Sequence, residues 1–373
     1  MGLTIDVVGA YGRGVVRGIM AFAKAANWTI AIEPRWSFDS APDVEEWNVD
    51  GVVTQVYSRA FLRRVIKSGI KATNVSNFVP SGVELPTVLV DDVAVGRVAA
   101  DYLHGRGFGN FAYYGARGTG FGRLRLAGFQ RRLAELNFEP LVYVDAGGPN
   151  TGDALDAWVA SLPTPIGLMG CNDEFAHRIL LSCERLGIAV PESIAVLGVD
   201  DDDLLNSLVT PSLSSIRQPT DRIGFEAARL LDGLLRGEAP PPEPLLLEPG
   251  AVVTRQSTDV LAIDDAEVAA ALAFIRQRGH EPISVNDVLD HVPAGRRSLE
   301  RRFRSLLGRT LLGEIQRVRV DRARALLSQT DLAMPQVATA CGFANASRFG
   351  VVFRKMTGDT PTAFRAGHRL ATA

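Results

Sequence analysis

Residues 166–200 read IGLMGCNDEFAHRILLSCERLGIAVPESIAVLGVD and decide the fold of the first part of the chain. The apolar runs Ile166–Gly170 and Ile194–Val199 have the length of buried strands, and Glu174–Leu186 between them has helical spacing. Gly187 gives this helix a C-terminal stop signal. Because neighbouring parallel strands need a crossover connection, this order predicts a parallel strand–helix–strand unit.

Strands and helices continue to alternate through the rest of residues 1–258. The other predicted extended segments are Leu3–Val8, Gly51–Val56, Thr73–Ser76, Pro86–Val90, Phe111–Gly115, Leu141–Asp145 and Leu245–Leu247. The other predicted helices are Val15–Ala26, Leu124–Leu136, Ile223–Leu235 and one opening after the Asp91-Asp92 pair, which can cap it. This alternation predicts doubly wound parallel sheets arranged as two α/β lobes.

Length and composition place the chain among multidomain proteins of the cytosol. Its 373 residues exceed the ~250–300 that one core usually holds. No apolar run approaches the ~18 residues of a membrane span, and the start lacks the pattern of a secretory signal. The three cysteines, Cys171, Cys183 and Cys341, suit neither a disulfide framework nor a zinc site. We therefore expect a cytoplasmic protein.

The net charge of −2 hides a split between two parts of the chain. From Asp265 to Ala373 there are 17 Lys and Arg against 10 Asp and Glu, a net of +7, whereas the preceding residues sum to −9. An acidic body joined to an Arg-rich tail favours a nucleic-acid-binding module attached to another domain. An Arg-rich soluble domain without such a role is the alternative on charge alone.

The tail shows only helical periodicity, with a predicted linker at residues 259–266 and a domain at residues 267–373. Within it, Asp287–Phe303 and Gln336–Phe353 form a degenerate repeat, each reading as a short helix, a turn and a second helix. Gly342 suits a turn that needs a positive φ. The repeat predicts two helix-turn-helix units.

Helical geometry assigns the side chains of each second helix to an inner or an outer face. The predicted inner positions are Leu299, Phe303, Leu306, Phe349, Phe353 and Met356. The predicted outer positions, suited to reading base edges, are Arg297, Arg301, Arg304, Ser347, Val351 and Arg354. The flanking positions, suited to phosphate contacts, are Arg302, Arg348 and Lys355. A solvated basic face is the alternative for either helix alone, but two copies in one basic domain favour DNA.

The tail resembles the AraC-type DNA-binding domain. The matching stretches are Arg322-Ala-Arg-Ala-Leu-Leu, Cys341-Gly-Phe, Phe353-Arg-Lys and Thr357-Gly-Asp-Thr-Pro. Where that family usually has glycine in its first turn, this chain has Pro293, which cannot take a positive φ, so we expect that turn to be built differently. The usual capping serine is also missing at Ala344, where Asn345 can substitute. Asn345 is included among the predicted DNA-binding residues.

The body resembles LacI/GalR-type effector domains, which share the type I periplasmic-binding-protein fold, over Thr4–Thr254. The matching stretches are Gly170-Cys-Asn-Asp, Gly187-Ile-Ala-Val-Pro-Glu-Ser-Ile-Ala-Val-Leu-Gly-Val-Asp-Asp and Pro211-Ser-Leu-Ser-Ser-Ile-Arg-Gln-Pro. With DNA-binding helices at the carboxyl end and Tyr11-Gly-Arg-Gly near the start, the chain is similar to the xylose operon regulators. The resemblance implies a regulator that responds to a small sugar such as a pentose and binds double-stranded operator DNA. It also implies a homodimer that has RNA polymerase as a further partner and needs no cofactor.

Three polar residues follow three predicted strands of the second lobe. They are Arg125, Asn172 and Asp200. Ligands of open α/β sheets bind beyond the carboxyl ends of the strands, so we expect these side chains to converge on one crevice. Guanidinium, amide and carboxylate groups match sugar hydroxyls, which both donate and accept hydrogen bonds. The family resemblance implies ligand contacts at the same three positions.

Other candidate ligand contacts come from outside these strand ends. Tyr11 follows the first strand, Asn74 lies near the expected crossover between lobes, and Trp36 or Phe121 could supply an apolar platform for a sugar ring. Asp200 opens a run of four aspartates, which alternatively caps a helix or holds a cation.

Two other functions fit the sequence less well. A solute-binding protein for transport would need an export signal and would not explain the basic tail. An enzyme is disfavoured because the sequence has no G-x-S-x-G elbow, Walker loop, Cys–His pairing or His-rich metal cluster. We therefore predict a sugar-responsive regulator in which effector binding closes the two lobes and shifts the population of DNA-binding arrangements.

Overall fold

The structure, a computed structural model, describes residues 1–32, 48–77, 85–145, 151–259, 265–307 and 309–370. The chain divides into two compact units. The first comprises Met1–Ile188 and Ile194–Asp259, and the second comprises Ala189–Ser193 and Val260–Ala373. Within the described ranges no helix is long and apolar enough to cross a membrane.

The first lobe of the first unit is built on a four-stranded parallel sheet in the order β2-β1-β3-β4. Its strands are β1 (Gly2–Thr4), β2 (Ala31–Ile32), β3 (Gly51–Thr54) and β4 (Lys71–Asn74). Its helices are α1 (Ala10–Ala25) and α2 (Arg59–Lys67). A separate parallel pair is formed by β5 (Val88–Val90) and β11 (Leu245–Leu247). The parallel lobe predicted from the sequence is confirmed.

The second lobe contains a six-stranded sheet in the order β12-β10-β9-β8-β6-β7, in which only β12 is antiparallel. Its strands are β6 (Phe111–Ala116), β7 (Leu141–Asp145), β8 (Ile166–Gly170), β9 (Ile194–Asp200), β10 (Ser214–Arg217) and β12 (Val252–Val253). The helices of the rest of this unit are α3 (Asp92–His104), α4 (Gly120–Glu135), α5 (Thr151–Ala160), α6 (Asp173–Leu186), α7 (Asp203–Leu208) and α8 (Thr220–Leu235). The predicted unit β8-α6-β9 is present with β8 and β9 paired in parallel.

Helices α3 and α4 cross with their backbones in contact because each has a glycine at the crossing. A Cβ at Gly96 would lie 2.1 Å from the carbonyl oxygen of Arg125, and one at Gly128 would lie 2.0 Å from that of Val93. Side chains there would push the helices apart. The close crossing brings the first residue of α3, Asp92, next to Arg125 of α4.

The second unit is helical, with two helix-turn-helix pairs joined by a long helix. Its helices are α9 (Ala266–Arg278), α10 (Val285–His291), α11 (Arg296–Leu307), α12 (Leu311–Gln329), α13 (Met334–Ala340), α14 (Ala346–Thr357) and α15 (Pro361–Leu370). The pairs are α10/α11 and α13/α14. This is the arrangement predicted for the tail.

The two turns differ in backbone geometry, as predicted. In the second turn Gly342 has φ +75°, and a Cβ there would lie 2.4 Å from the carbonyl oxygen of Glu281. In the first turn none of residues 292–295, all of which the structure describes, has a positive φ. Instead Val292 is extended and accepts a 2.7 Å hydrogen bond from the amide of Ala294. Pro293 is therefore accommodated without the left-handed residue that the second turn uses.

Two predicted inner positions of the second helices are wrong. Leu306 is 38% exposed while Leu307 is buried, and Met356 is 39% exposed while Val352 is buried. The buried row of α11 runs through Leu299, Phe303 and Leu307 at a spacing of four, the row that forms ridges in helix packing.

A buried carboxylate organises the start of α12. Glu314 is fully buried and pairs with Arg309 and, at 2.7 Å, with Arg317, while Arg276 of α9 lies 3.7 Å away. Burial alone would raise the pKa of Glu314, but the hydrogen bonds and charges of these arginines outweigh it and lower the pKa to about 2. Arg276 also lies 2.9 Å from Glu192 in the segment Ala189–Ser193.

Candidate functional site

Arg125 is the centre of a buried polar cluster in the first unit. Its guanidinium Nε donates to Asp92 Oδ1 at 2.7 Å, and its Nη1 donates to the carbonyl oxygen of Cys171 at 2.5 Å. Nη1 also lies 3.9 Å from Asp200 Oδ1. Two of the residues predicted from separate strand ends, Arg125 and Asp200, are thus brought together.

Asp92 belongs to the same cluster and was not predicted as a site residue. Asp91 accepts from the amide of Ala94 at 2.9 Å and so caps α3, which leaves the carboxylate of Asp92 to accept from Arg125 and Asn77. Burial raises the pKa of Asp92, and the charge of Arg125 opposes that rise. The Asp91-Asp92 pair was the sequence signal for this residue, because one aspartate is enough to cap α3 and the second is then available for another role.

Asp200 lies at the end of β9 in a strained backbone. Its φ is +115° and that of Asp201 is +55°, values that L residues rarely adopt. Gln218 of the second lobe donates its amide Nε2 to Asp200 Oδ1 and is itself buried. Burial raises the pKa of Asp200, while Arg125 and Gln218 counteract it. We call Asp92, Arg125, Asp200 and Gln218 the Arg125 cluster.

The first lobe contributes Tyr11 to the surroundings of this cluster. The Tyr11 hydroxyl donates to the carbonyl oxygen of Val75 at 2.7 Å. Burial raises the pKa of Tyr11, and the negative charges of Asp92 and Asp200 raise it further. Two residues further along α1, Arg13 pairs with Asp202 of the second lobe at 2.8 Å. The two lobes therefore meet at this edge of their sheets.

The other predicted ligand residues differ in position. Phe121 lies beside the cluster, with the guanidinium carbon of Arg125 4.9 Å from its ring centroid. Asn172 caps α6, its Oδ1 accepting from the amide of Phe175 at 3.1 Å, and its half-buried side chain follows Cys171 in the chain. Trp36 lies outside the described residues.

Asn74 has a structural role rather than the predicted contact. Its Oδ1 accepts from the amides of Val56 and Ser76, and its Nδ2 donates to the carbonyl of Ser76 and to Thr87. The side chain is 2% exposed and its hydrogen-bonding capacity is filled by these partners. Asn74 therefore ties the end of β4 to the crossover.

The aspartate run after β9 behaves mainly as helix cap and ion-pair partner. Asp202 caps α7 by accepting from the amides of Leu204 and Leu205. Asp201 pairs with Arg217 and Arg255, each at 2.8 Å. Within the described parts of the chain, no three His, Cys, Asp or Glu side chains are grouped to hold a metal ion. Capping is thus the role of Asp202, whereas Asp200 itself lies with Arg125 and Gln218.

The chemistry of the Arg125 cluster suits a polyhydroxylated ligand. Two carboxylates accept hydrogen bonds from hydroxyl groups, a guanidinium and an amide donate to hydroxyl oxygens, and the ring of Phe121 offers an apolar surface. The groups are held in place by one another, so a ligand meets a preformed arrangement.

The second unit exposes basic side chains on both predicted recognition helices. On α11 the outer residues Arg297, Arg301 and Arg304 are exposed and line an open groove with Thr310 and Leu312. On α14 the exposed outer and flanking residues are Ser347, Arg348, Val351, Arg354 and Lys355. Asn345 caps α14, accepting from the amide of Arg348 at 2.8 Å, as predicted.

Arg302 does not fit its predicted phosphate contact. Its guanidinium pairs with Asp265 at 2.7 Å and with Glu267, both at the start of α9. Because these carboxylates already neutralise it, the side chain ties α11 to α9 instead of presenting a charge to DNA.

Comparisons with known proteins match the two parts of the chain to two different families. Residues 100–258 match the periplasmic binding protein-like domain family, and residues 289–367 match a helix-turn-helix domain family. The chain is 30% identical over 376 residues to a xylose operon regulatory protein of Haemophilus influenzae, covering 95% of both proteins. It is also 30% identical over 370 residues to the Escherichia coli K12 protein of that name, covering 95% of this chain and 94% of the other.

A solved structure is similar over nearly the whole chain. The structure of a xylose-binding transcription activator superposes with a TM-score of 0.82 at 29% identity, covering 98% of this chain and 97% of the other. The combination of a periplasmic-binding-protein-like domain with a carboxyl-terminal helix-turn-helix domain is therefore shared along the full length.

Proposed function

Because the chain belongs to the family of the xylose operon regulatory proteins, we propose that its effector is xylose, bound at the Arg125 cluster. The chain is a sugar-responsive, DNA-binding transcription regulator and not an enzyme. The observation that carries the site is the convergence of Asp92, Arg125 and Asp200 in one buried cluster. We expect Asn172 and Phe121 to complete the contacts with the sugar.

The carboxylates give this site its preference for hydroxyl donors. Asp92 and Asp200 each retain oxygen lone pairs beyond those used by Arg125, Asn77 and Gln218, so they can accept from neighbouring sugar hydroxyls. A sugar that bridges Tyr11 and Asp200 contacts both lobes at once. Its binding would favour the closed arrangement of the lobes.

The test is a thermal-shift titration with D-xylose, L-arabinose, D-ribose and D-glucose, followed by calorimetry. We expect D-xylose to raise the melting temperature of the wild type and Asp200→Ala to abolish that rise, because one carboxylate that binds hydroxyls is gone. Asp203→Ala is the matched control, since Asp203 lies three residues on with its side chain 89% exposed. If D-xylose raises the melting temperature of Asp200→Ala as much as that of the wild type, Asp200 is not part of the site. If another sugar raises the melting temperature of the wild type more than D-xylose does, that sugar is the effector instead of xylose.

The DNA-binding part is proposed to extend over residues 267–373 and to act in a homodimer. Two recognition helices, α11 and α14, in each chain can enter successive major grooves, which lie about 34 Å apart on one face of DNA. Operator binding requires access to the chromosome, so we propose that the protein works in the cytoplasm. Because the similar solved structure is that of an activator, we propose activation through contact with RNA polymerase, to be tested by transcription in vitro with and without D-xylose.

A further inference from the structure

The backbone that carries Asp200 is fixed by a buried carboxylate on another element. Asp173, the first residue of α6, is 3% exposed. Its Oδ2 accepts from the backbone amide of Asp202 at 2.8 Å and from the side-chain amide of Asn206 at 2.9 Å. Its Oδ1 accepts from the hydroxyl of Ser215 at 2.6 Å. One side chain thus connects α6, β10 and α7.

These bonds restrain both amides that follow Asp200. The Asp202 amide donates directly to Asp173, and the Asp201 amide donates at 3.0 Å to the Ser215 hydroxyl, which in turn donates to Asp173. Asp200 and Asp201 both have positive φ, a conformation that costs about 1–3 kcal/mol per residue and persists only where the surroundings impose it. The Asp173 carboxylate is the group that holds both following amides.

Strand β9 leaves space for this carboxylate. A Cβ at Gly198 would lie 2.2 Å from Asp173 Oδ1. The glycine two residues before Asp200 is therefore what lets the carboxylate approach the turn.

From these contacts we infer that Asp173 is a positioning residue for effector binding. It does not contact the sugar, but holds the turn at residues 200–202 so that the Asp200 carboxylate faces Arg125 and Gln218. Without it, relaxation of the two positive φ values rotates the Asp200 side chain out of the Arg125 cluster. The effect of Asp173 on sugar affinity rests on the proposed sugar site. Its effect on the turn at residues 200–202 does not.

The matched control is Asp156, a carboxylate of the same lobe with a comparable set of bonds. Asp156 of α5 accepts from Ser182 at 2.6 Å and from Arg185 at 2.9 and 2.6 Å, and both of these partners lie on α6, outside the turn at residues 200–202. Asp156→Ala therefore removes a stabilising carboxylate from the lobe without disturbing Asp200. A purely structural role for Asp173 predicts the same behaviour in both variants.

The first measurement needs no ligand. Hydrogen exchange of the Asp201 and Asp202 amides is followed by NMR in the full-length wild type, Asp173→Ala and Asp156→Ala. We expect exchange at these two amides to accelerate at least tenfold in Asp173→Ala and to stay at the wild-type rate in Asp156→Ala. Ser215→Ala should accelerate the Asp201 amide alone. Unchanged exchange at both amides in Asp173→Ala would overturn the inference.

The second measurement is calorimetric titration with D-xylose. Asp173→Ala should weaken binding by roughly ten- to a hundredfold, the range seen when a group that orients a contacting residue is removed. Asp173→Asn should recover most of the affinity, because its oxygen can accept from the Asp202 amide and its nitrogen can donate to Ser215. Equal loss of affinity in Asp156→Ala would overturn the positioning role. If the wild type binds no xylose, the proposed effector is wrong, and the exchange rates alone test the role of Asp173. If Asp173→Ala does not fold, the Ser215→Ala and Asp173→Asn variants test that role instead.

Discussion

Arginines of the recognition helices differ in the charge that they present to solvent. Arg354 is exposed on α14, whereas Arg302 of α11 is neutralised by Asp265 and Glu267. We expect Arg354→Ala to weaken operator binding by roughly 1–3 kcal/mol and to relax base preference at one position, as for the loss of a bidentate base contact. Fluorescence anisotropy on an operator selected from random duplexes and on its single-base variants measures both effects.

Arg302→Ala serves as the control for that measurement. Its removal takes the arginine partner from Asp265 and Glu267 at the start of α9, so we expect a small loss of thermal stability but nearly unchanged DNA affinity. Equal losses of affinity in both variants, without a change in base preference for Arg354→Ala, would assign Arg354 to general charge attraction.

Two residues of the Arg125 cluster were predictable from the order of the strands. Arg125 and Asp200 each follow a recognisable strand, so the rule that ligands bind at carboxyl ends locates them. Asp92 and Gln218 follow no such rule, because they reach the cluster through the crossing of α3 with α4 and through the parallel pairing of β10 with β9. Asn74 was predicted from its place near the crossover between lobes, but its bonds to Val56, Ser76 and Thr87 could not be read from the chain order.

At the level of elements, the α3–α4 crossing depends on Gly96. A Cβ at that position would meet the Arg125 carbonyl oxygen at 2.1 Å and the Phe129 amide nitrogen at 2.5 Å, both backbone atoms that cannot move alone. We expect Gly96→Ala to separate the helices, to lower the free energy of unfolding by about 1–3 kcal/mol as overpacking does, and to weaken xylose binding by parting Asp92 from Arg125. Chemical denaturation and calorimetry measure the two effects.

Gly152 of α5 provides the comparison for this substitution. Nothing lies within 4 Å of a Cβ built there, and alanine in an open helical position stabilises by about 0.5–1 kcal/mol. A Gly96→Ala protein as stable as Gly152→Ala would show that the two helices can move apart without cost.

Helix α12 is held by Glu314, whose removal should be costly because three arginines surround it. Breaking such a buried set costs roughly 3–5 kcal/mol, so we expect Glu314→Ala to destabilise strongly in denaturant melts. Glu300, which pairs with Arg296 at the surface, is the control, and Glu300→Ala should cost no more than about 0.5 kcal/mol.

The same carboxylate gives a pH dependence of known sign. The pKa of Glu314 is lowered from 4.5 to about 2 in the folded chain, so its contribution to stability is complete above about pH 4.5. It is lost as the pH falls from 4.5 towards 2, because the unfolded chain takes up the proton first. Stability curves of wild type and Glu314→Gln should therefore converge as the pH falls through this window, and curves that stay parallel would contradict the assignment.

Apolar strands of three or more residues were predictable, whereas the two-residue strands β2 and β12 were missed. Strands β8 and β9 are apolar and were identified, whereas β10 has the sequence Ser-Ser-Ile-Arg and was missed. Its serines are buried because each finds a specific partner, Ser214 in the backbone of Arg255 and Ser215 in Asp173. Hydrogen bonds from these serines to groups outside the sheet, which hydrophobic periodicity does not register, allow this polar strand to be buried.

For the whole molecule, the division of charge was the most direct guide to two functions in one chain. Counting residues separates an acidic body from a basic tail and favours a nucleic-acid-binding module in the tail, whereas the sugar-binding role of the body came from the family resemblance. The path by which one part influences the other does not follow from composition, since coupling is a difference between states.

Thermodynamics nevertheless sets a test at this scale. If xylose changes operator affinity by some factor, operator DNA must change xylose affinity by the same factor, typically about 5- to 150-fold. If the protein is an activator, we expect calorimetric titrations to show that D-xylose binds more tightly in the presence of saturating operator. The ratio of the two xylose affinities should equal the ratio of the operator affinities that anisotropy gives with and without sugar. The control is a D-xylose titration of Arg354→Ala at a DNA concentration too low for this variant to bind. It should give the xylose affinity of the free protein. Equal xylose affinity in the free and operator-bound wild type would mean that the sugar site and the DNA-binding helices act independently, and would exclude xylose as the regulatory signal.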